Sequence, residues 1–405
     1  MTSKGSNRIS RRRLLAGAAV GAAGVALSAC GAPTTPQAGA SPGAPAQAPK
    51  AAPAAPTGQT FTLKMQSTWT ATDWHHQNPT GFVDKVTKMS GGRLKIELLP
   101  AGAVVPAMEL LDAVHKGIVD AGNSWPGYWY GKHPAATLFG SIPGGPFGMS
   151  SEDFLSWMYV GGGLALYNEL LQNELKLDVV AFPSFGETPE PLGWFNKPIK
   201  TIAEFKGLKF RAGGMSAEVF KAMGMSVVTL AGGEIVPALE RGTIDAAEYS
   251  DPTSDMTVGF HEVRKFYHMP CVHEPTGIME YIFNKKKWDT LPDDLKAIVE
   301  FASQAETMDY VVRMLDRNSN DLKTLVDKGV QVVETPKEIQ IEILKAWDQV
   351  AEQKSKENPF FAKVYQSQKA WAQRIVPYRR VGHPDYNVAA DYYWGKDNIY
   401  KVMKP

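Results

Sequence analysis

Cysteine is scarce in this 405-residue sequence, which contains only Cys30 and Cys271. An excess of charge of one sign is also lacking, because 43 basic residues face 42 acidic ones, so nothing resembles a nucleic-acid-binding surface. The sequence contains no His-Glu-x-x-His, no Gly-x-Ser-x-Gly and no phosphate-cradling glycine loop. We therefore expect neither an enzyme nor a nucleic-acid-binding protein, and no organic cofactor.

Apolar runs of membrane-spanning length are lacking after the first 29 residues. Within those residues, positions 10–15 (SRRRLL) form a twin-arginine pattern, and an apolar run rich in Ala and Gly follows to Ala29. These features are typical of a signal peptide. They predict a signal peptide over residues 1–29, export by the Tat route, and a location in the periplasm or at the outer face of the cell membrane.

The end of the apolar run, Leu27-Ser28-Ala29-Cys30, resembles the lipobox of bacterial lipoproteins. This resemblance implies cleavage before Cys30, lipidation of that cysteine and attachment to a membrane by lipid only. A chance cysteine after an ordinary signal is the alternative. Residues 30–58 are almost wholly Ala, Pro, Gly, Thr, Ser and Gln, a composition that cannot bury enough apolar surface to fold. They predict a disordered tether, and if Cys30 is lipidated no disulfide can form within the mature chain.

The most informative stretch of the remaining body is residues 207–252, where the hydrophobic period indicates strand, helix, strand, helix and strand. Such alternation predicts a parallel sheet with crossover helices, the first capped by Ser216. Arg211 ends the first strand, before Ala212-Gly213-Gly214. Ligands bind outside the carboxyl ends of parallel strands, and a guanidinium group can hold a carboxylate through two hydrogen bonds. Arg211 is therefore a candidate carboxylate ligand; an ordinary ion-paired arginine is the alternative.

Part of this stretch has a counterpart earlier in the chain. Residues 109–121 and 234–246 share Glu, Ala, Gly, Asp and Ala at a constant offset, and each follows a strand and an Ala/Gly-rich turn. We interpret them as parts of two similar α/β lobes. Their strand ends would present Ser124 and Trp125 from one lobe, and Tyr249 and Ser250 from the other, across a cleft.

The predicted fold is of the α/β class and has two lobes; the two-lobed periplasmic binding protein fold is what the resemblance described below implies. Residues 178–182 and 277–283 are predicted strands that cross between the lobes. Residues 290–327 are predicted to form a long helix along both lobes, and residues 337–375 are again helical. The two predicted lobes are formed by residues 59–178 plus 278–316, and by residues 179–277 plus 317–405 with the C-terminal helices.

Two further segments carry polar or aromatic side chains near predicted strand ends. Trp125 and Tyr128 lie in the aromatic run 125–130, which could be core or cleft lining. Glu190 lies between two prolines, and a rigidly held carboxylate suits a hard cation, although exposed loop glutamates are commoner. His273 beside Glu274 is the nearest candidate for acid–base chemistry, with a structural histidine as the alternative.

The body resembles the periplasmic solute receptors of TRAP (tripartite ATP-independent periplasmic) transporters from Phe61 to about Pro377. The resemblance is carried by SGGRLKIELLPAGAVVPAMELLDAVHKGIVDAG, SIPGGPFGM, PLGWFNKPI, GLKFR, ERGTIDAAE and HEPTGIMEYIFNKKKW. The sequence is most similar to the receptors for 2-oxo and 2-hydroxy monocarboxylates. The resemblance implies an extracytoplasmic receptor, partnered by the membrane subunits of the transporter, in which a metal ion bridges protein and ligand.

The resemblance also implies roles for individual residues. Arg211 would pair with the ligand carboxylate. Glu190, Tyr249, Ser250 and Glu274 would bind the metal ion, Tyr249 through its backbone carbonyl.

Glu190 and Tyr249 would contact the ligand as well, and Tyr128 and Trp125 would form the first-lobe wall that closes over it. The subgroup commonly has Trp in place of Tyr249 and tends to have Gln in place of Glu190. The second difference leaves the charge of the ion open.

An all-oxygen shell of this kind suits calcium, sodium or magnesium, and two fixed carboxylates favour a divalent ion. Ligand binding would shift the population from an open to a closed form that the membrane subunits recognise. Three alternatives remain at this point: a receptor for another organic acid without a metal, a secreted metal-dependent hydrolase, and a sensory lipoprotein. The C-terminal helical pattern also leaves a homodimer open.

Overall fold

The structure, a computed structural model, describes residues 58–186 and 188–395. The predicted signal peptide (1–29), the predicted lipidation site Cys30 and nearly all of the predicted tether (30–58) lie outside the described residues. Among the helices of the described part, none combines the length and the apolar character that crossing a membrane requires.

Eleven strands are found in the described residues, and we number them in chain order. They are β1 (Phe61–Ser67), β2 (Leu94–Leu99), β3 (Ala121–Ser124), β4 (Val179–Gly186), β5 (Gly193–Phe195), β6 (Lys209–Arg211), β7 (Ser226–Val228), β8 (Ala246–Ala247), β9 (Phe266–His268), β10 (Ile278–Asn284) and β11 (Gln331–Val333).

The α-helices of the same residues are numbered in the same way. They are α1 (Gln77–Met89), α2 (Leu110–His115), α3 (Thr137–Gly140), α4 (Gly145–Gly148), α5 (Ser151–Tyr159), α6 (Gly163–Glu169), α7 (Ser216–Ala222), α8 (Gly232–Glu240), α9 (Pro252–Val258), α10 (Phe260–Val263), α11 (Lys285–Asp289), α12 (Asp293–Asp327), α13 (Lys337–Glu357), α14 (Pro359–Gly382) and α15 (Tyr386–Trp394).

The strands form two mixed sheets. The first has five strands in the order β2-β1-β3-β10-β4, and the second has six in the order β7-β6-β8-β5-β9-β11. In the first sheet β1 pairs in parallel with β2 and β3, and β10 is antiparallel to β3. In the second sheet β6 pairs in parallel with β7 and β8, and β5 is antiparallel to β8. The predicted α/β class is confirmed.

The two sheets are built by the same supersecondary unit. β1-α1-β2-α2-β3 and β6-α7-β7-α8-β8 both place their first strand between the second and the third. The repeated sequence pattern falls on the last helix and strand of each unit. Its shared glycines, Gly117 and Gly242, both end their helix with a positive φ, 72° and 68°, which a glycine adopts without the steric cost of a side chain.

The long helix α12 joins the two sheet systems. It packs against α1 and β4 of the five-stranded sheet and against α9, which follows β8 of the six-stranded sheet. β4, at the edge of the sheet, and β10 beside it pair along their whole length and are almost entirely buried, because α12 and α6 pack against β4. α14 packs against α4, α5 and α6, whereas α13 packs against α7. The lobe boundaries given above stay a prediction.

One expectation about a helix end was wrong. Ser216 does not cap a helix: it is the first residue of α7, and its hydroxyl donates to the carbonyl of His273 at 3.4 Å. The stretch predicted to be helical over residues 337–375 is helical and is divided between α13 and α14. Asn358 accepts a hydrogen bond from the backbone N–H of Phe361, and Pro359 follows at the first helical position, so a new helix begins there.

Candidate functional site

One small cavity lies where the carboxyl ends of strands from both sheets meet. All seven residues that the resemblance assigned to ligand or metal line this cavity. Ser124, predicted beside Trp125 at the strand end, is buried but does not line it. The lining residues are Trp69, His75, Trp125, Tyr128, Glu190, Arg211, Gly213, Glu248, Tyr249, Ser250, Glu274 and Met279.

Arg211 is the last residue of β6, and its guanidinium group is held from two sides. Nη1 donates to the carboxylate of Glu248 at 2.9 Å and to the carbonyl of Glu248 at 3.0 Å. Nε and Nη2 donate to the carbonyl of Leu230 at 3.1 and 2.9 Å. The guanidinium carbon also lies 5.7 Å from the ring centre of Tyr249. These contacts fix the plane of the group before any ligand carboxylate binds.

Glu248 is a site residue that the sequence reasoning missed. It follows β8 directly, and its carboxylate accepts from the guanidinium of Arg211 and from the backbone N–H of Gly213 at 2.8 Å. Gly213 is itself required here, because a Cβ at this position would lie 2.9 Å from the ring of Trp125. The position of Glu248 beside Tyr249 at a strand end was the available signal.

Glu248 is one of three buried glutamates in the cavity lining, with Glu190 and Glu274. The backbone N–H of Glu190 donates to the carbonyl of Glu274 at 3.0 Å, which holds the two loops together. Oε1 of Glu274 is buried and has no hydrogen-bond partner. Burial, and then the nearby carboxylate of Glu248, raise the pKa of Glu274 well above its usual range. An ion between these carboxylates would relieve both effects.

His273 borders this cluster and was also missed as a possible ligand. It is fully buried, neither ring nitrogen has a hydrogen-bond partner, and Nε2 lies 4.0 Å from the carboxylate of Glu190. Ligand atoms of Glu190, Glu248 and His273 lie within 4.8 Å of one another. Burial lowers the pKa of His273 to about 4, so the ring is neutral at pH 7. The residues present fit a metal ion: buried carboxylate oxygens converge, with a neutral nitrogen beside them.

Tyr249 and Ser250 link the two sheet systems through side chains that follow β1. The hydroxyl of Tyr249 donates to the carboxylate of Asp73. The hydroxyl of Ser250 lies 2.8 Å from Nε2 of His75, whose Nδ1 lies 3.1 Å from the hydroxyl of Tyr310 in α12. Asp73 and His75 lie in no recognisable motif, and no sequence signal could have found them.

The opposite wall of the cavity is mainly apolar and comes from the five-stranded sheet and its loops. Trp69 follows β1, Trp125 follows β3, and Met279 lies on β10. The ring of Tyr128 is perpendicular to that of Trp125, with centres 5.3 Å apart. Nε1 of Trp69 donates to Asn123 at 2.9 Å, which fixes the ring. The aromatic run therefore contributes to the cavity lining, one of the two interpretations that the sequence left open.

Known proteins that are similar to this chain are solute-binding proteins. Residues 65–358 match the family model of the bacterial extracellular solute-binding proteins, family 7. The chain is 32% identical over 302 residues to a monocarboxylate 2-oxoacid-binding periplasmic protein of Nostoc sp., covering 75% of this chain and 81% of that protein.

Two solved structures are similar over the whole body. One is a TRAP periplasmic solute-binding protein from Colwellia psychrerythraea with bound calcium and pyruvate, and the other is its counterpart from Pseudoalteromonas atlantica with bound sodium and pyruvate. Each has a TM-score of 0.75 and 27% identity, and each alignment covers 83% of this chain and 100% of that protein.

Proposed function

This chain belongs to the bacterial extracellular solute-binding proteins of family 7, and we propose that it is a TRAP transporter receptor for a small 2-oxo or 2-hydroxy monocarboxylate. The ligand is held by Arg211 and by a calcium or sodium ion that bridges it to the protein. The observation that carries this proposal is the convergence of one fixed guanidinium group and three buried glutamates on a small, aromatic-walled cavity.

Arg211 binds the ligand carboxylate. Its guanidinium group is already oriented by Glu248 and Leu230, so little conformational freedom is lost when the ligand arrives. Of its five N–H groups, those on Nε and Nη1 are committed to protein oxygens, and Nη2 keeps one for the ligand. One such charge-assisted hydrogen bond is stronger than a neutral one.

Glu190, Glu274, Ser250 and the backbone carbonyl of Tyr249 would hold the ion, with Glu248 as a further carboxylate in the cavity lining. When bound, the ion would supply positive charge to the oxygen atoms of the ligand. The carboxylates are buried, so their attraction for a cation is screened less than it would be in water. Trp69, Trp125, Tyr128 and Met279 exclude water and limit the size of the group beyond C2.

Binding is coupled to the relative position of two lobes, residues 59–178 plus 278–316 and residues 179–277 plus 317–405. Support comes from the bonds of Asp73 with Tyr249 and of His75 with Ser250, which join loops of the two sheet systems beside the cavity. A ligand that contacts both walls adds to these bonds and shifts the population towards the closed form. The membrane subunits of the transporter then recognise that form.

We also propose Tat export, lipid attachment at Cys30 and a homodimer formed through the C-terminal helices. Several large apolar side chains near the C-terminus are exposed, which supports an association surface: Tyr378, Val381, Tyr386, Tyr392 and Trp394. Sedimentation of the protein with and without residues 383–405 tests the dimer, and a monomer in both cases would exclude it.

The function is tested by thermal unfolding of the purified protein with pyruvate, lactate, longer 2-oxo acids, sugar acids and aromatic acids. Each acid is added after chelation and then with calcium or sodium restored. A ligand that binds the native state raises the Tm, so a metal-dependent rise confined to 2-oxo and 2-hydroxy acids is expected. A rise in Tm that is the same with and without the chelator would favour a receptor for another organic acid without a metal. No rise in Tm with any acid would overturn the proposal that the protein is a receptor.

A further inference from the structure

We propose that two residues of the five-stranded sheet system, Trp125 and Thr137, position Arg211 from across the cavity. They do so by clamping the turn formed by residues 213–215, whose backbone holds the carboxylate of Glu248. This inference rests on the proposed function, because it concerns how Arg211 is oriented for the ligand carboxylate. The contacts between the two sheet systems at this turn carry the argument.

The 213–215 turn lies between β6 and α7 and contacts the carboxylate that orients Arg211. The backbone N–H of Gly213 donates to Oε1 of Glu248 at 2.8 Å, and the same oxygen accepts from Nη1 of Arg211 at 2.9 Å. One carboxylate oxygen therefore links the turn with the guanidinium group. A shift of the turn would move the carboxylate and, with it, the group that we propose binds the ligand.

The turn packs against the indole ring of Trp125, which follows β3 of the five-stranded sheet. A Cβ at Gly213 would lie 2.9 Å from this ring, and a Cβ at Gly214 would lie 3.0 Å from it. Gly214 also has a φ of 47°, a left-handed conformation that glycine adopts without steric cost. The two glycines therefore allow a close contact between backbone and ring that a larger residue would force apart.

The ring of Trp125 is itself held from its own side of the cavity. A Cβ at Gly127 would lie 2.2 Å from the ring, and a Cβ at Gly140 would lie 3.0 Å from it. Trp125 is buried, and the ring of Tyr128 is perpendicular to it. Because the indole is wedged between backbone segments on both sides, it forms a rigid surface that holds the turn in one position.

Thr137, the first residue of α3, supplies a second contact with the same turn. Its hydroxyl oxygen accepts from the backbone N–H of Met215 at 3.0 Å and donates to the carbonyl of Ser141 at 3.4 Å. Thr137 and Met215 are fully buried, so water cannot replace this bond when it is lost. Neither residue lines the cavity, so Thr137 can affect a ligand only through the turn.

The clamp makes the orientation of Arg211 depend on contact between the two sheet systems. While the turn is held, Glu248 and Arg211 are ordered before the ligand binds. If the turn were released, part of that order would have to be regained during binding, at a cost in affinity. The wall that carries Trp125 thus affects carboxylate affinity as well as ligand size.

The first test is the substitution Thr137→Val, which removes the acceptor for Met215 while keeping the shape of the side chain. Pyruvate affinity, measured by calorimetry with calcium present, should fall about threefold to tenfold, the range expected for one hydrogen bond. Thr137→Ser keeps the hydroxyl group and should recover most of the affinity. Thr335→Val changes a buried threonine outside the cavity lining and should leave the affinity unchanged.

A second background separates positioning of Arg211 from a general effect on folding. In Arg211→Lys the ammonium group has no plane for Glu248 to orient, so pyruvate binds more weakly and Thr137→Val should cause no further loss of affinity. Denaturant unfolding shows whether each variant is folded. A purely structural role of Thr137 would lower the stability in both backgrounds and leave the affinity of the folded protein unchanged.

The contact with the ring has a test of its own, which also decides the matter if Thr137→Val does not fold. Gly213→Ala places a Cβ against the indole and should weaken pyruvate binding at least about fivefold, because the turn is pushed away. Adding Trp125→Phe to Gly213→Ala makes room, since a phenyl ring does not reach as far as Cζ3 and Cη2 of the indole. The double variant should regain part of the lost affinity.

The outcomes separate this inference from the function on which it rests. Weaker binding in Thr137→Val that disappears in the Arg211→Lys background, with partial recovery in the Gly213→Ala, Trp125→Phe double variant, supports the inference. Natural affinity in Thr137→Val, an equal loss in both backgrounds, or no recovery in the double variant overturns the inference and leaves the receptor intact. No binding of any acid by the natural protein, with any ion, overturns the proposed function and the inference with it.

Discussion

The two βαβαβ units have the same strand order but place different kinds of side chain at the cavity. The first ends its strands with Trp69 after β1 and Trp125 after β3, which are large, rigid and apolar. The second ends the equivalent strands with Arg211 at β6 and Glu248 after β8, which form a buried ion pair. The repeated backbone therefore brings these strand ends to one cavity. Under the proposed function, the apolar wall selects the size of the ligand and the charged wall selects its charge.

The largest expected effect is on the charged wall, from Arg211→Met. Pyruvate affinity should fall by at least about a hundredfold, because the ligand carboxylate loses its partner. The free energy of unfolding should also fall, by roughly 3–5 kcal/mol, since Glu248 keeps a buried charge without its cation. Calorimetry and denaturant unfolding measure the two effects.

Two further variants test whether the loss of pyruvate affinity is specific to the cavity. Adding Glu248→Gln to Arg211→Met should restore much of the stability and none of the binding. Arg264→Met removes a buried arginine that donates to the carbonyl of Asp245 outside the cavity, and pyruvate affinity should survive it. If Arg211→Met still binds pyruvate with the affinity of the natural protein, Arg211 does not bind the ligand carboxylate.

A smaller effect is expected on the apolar wall, from Met279→Ala. The enlarged cavity should weaken pyruvate binding roughly threefold to tenfold and improve the relative affinity of five- and six-carbon 2-oxo acids. The cost in unfolding free energy should be about 2–4 kcal/mol, as for other buried large-to-small changes. Met149→Ala, at a buried methionine outside the cavity lining, should cost stability without changing the order of ligands. An unchanged order in Met279→Ala would contradict the size-selecting role.

The smallest expected effect on binding comes from Glu280, a buried carboxylate in β10 that the cavity does not use. Trp129 and Tyr167 donate to it at 2.6 and 2.5 Å, yet burial raises its pKa from 4.5 to about 7. Because the folded-state pKa is raised, its stabilising contribution is complete below pH 4.5 and is lost as the pH rises through about 7.

Between pH 5 and pH 8 the natural protein should therefore lose roughly 1–3 kcal/mol of unfolding free energy relative to Glu280→Gln. Denaturant unfolding at both pH values measures this difference, with exposed Glu97→Gln as the matched variant. Parallel pH profiles for the natural protein and Glu280→Gln would show that Glu280 does not titrate in this range.

The sequence predicted those parts of the molecule that depend on short-range pattern. The change of hydrophobic period placed β6, α7, β7 and α8, and strand ends put Arg211 and Trp125 at the cavity. The ion pair of Arg211 with Glu248 was missed because β8 has only two residues. Such a short strand shows no alternation of apolar and polar residues from which the direction of the Glu248 side chain could be predicted.

The contacts of Asp73 and His75 with Tyr249 and Ser250 could not be predicted, since they join positions about 175 residues apart that share no motif. The start of α14, in contrast, could have been predicted. Its Asn358-Pro359 signal was present in the sequence and was overlooked within a long helical pattern.

The bonds of Asp73 with Tyr249 and of His75 with Ser250 are made by protein atoms alone. Under the proposed lobe closure, these bonds would stabilise the closed arrangement at any solute concentration, so that a fraction of empty receptors would resemble loaded ones. Such receptors would occupy the transporter without delivering cargo. The number of receptors per transporter would then set an upper limit on uptake, and abundant receptor would slow import when the acid is scarce.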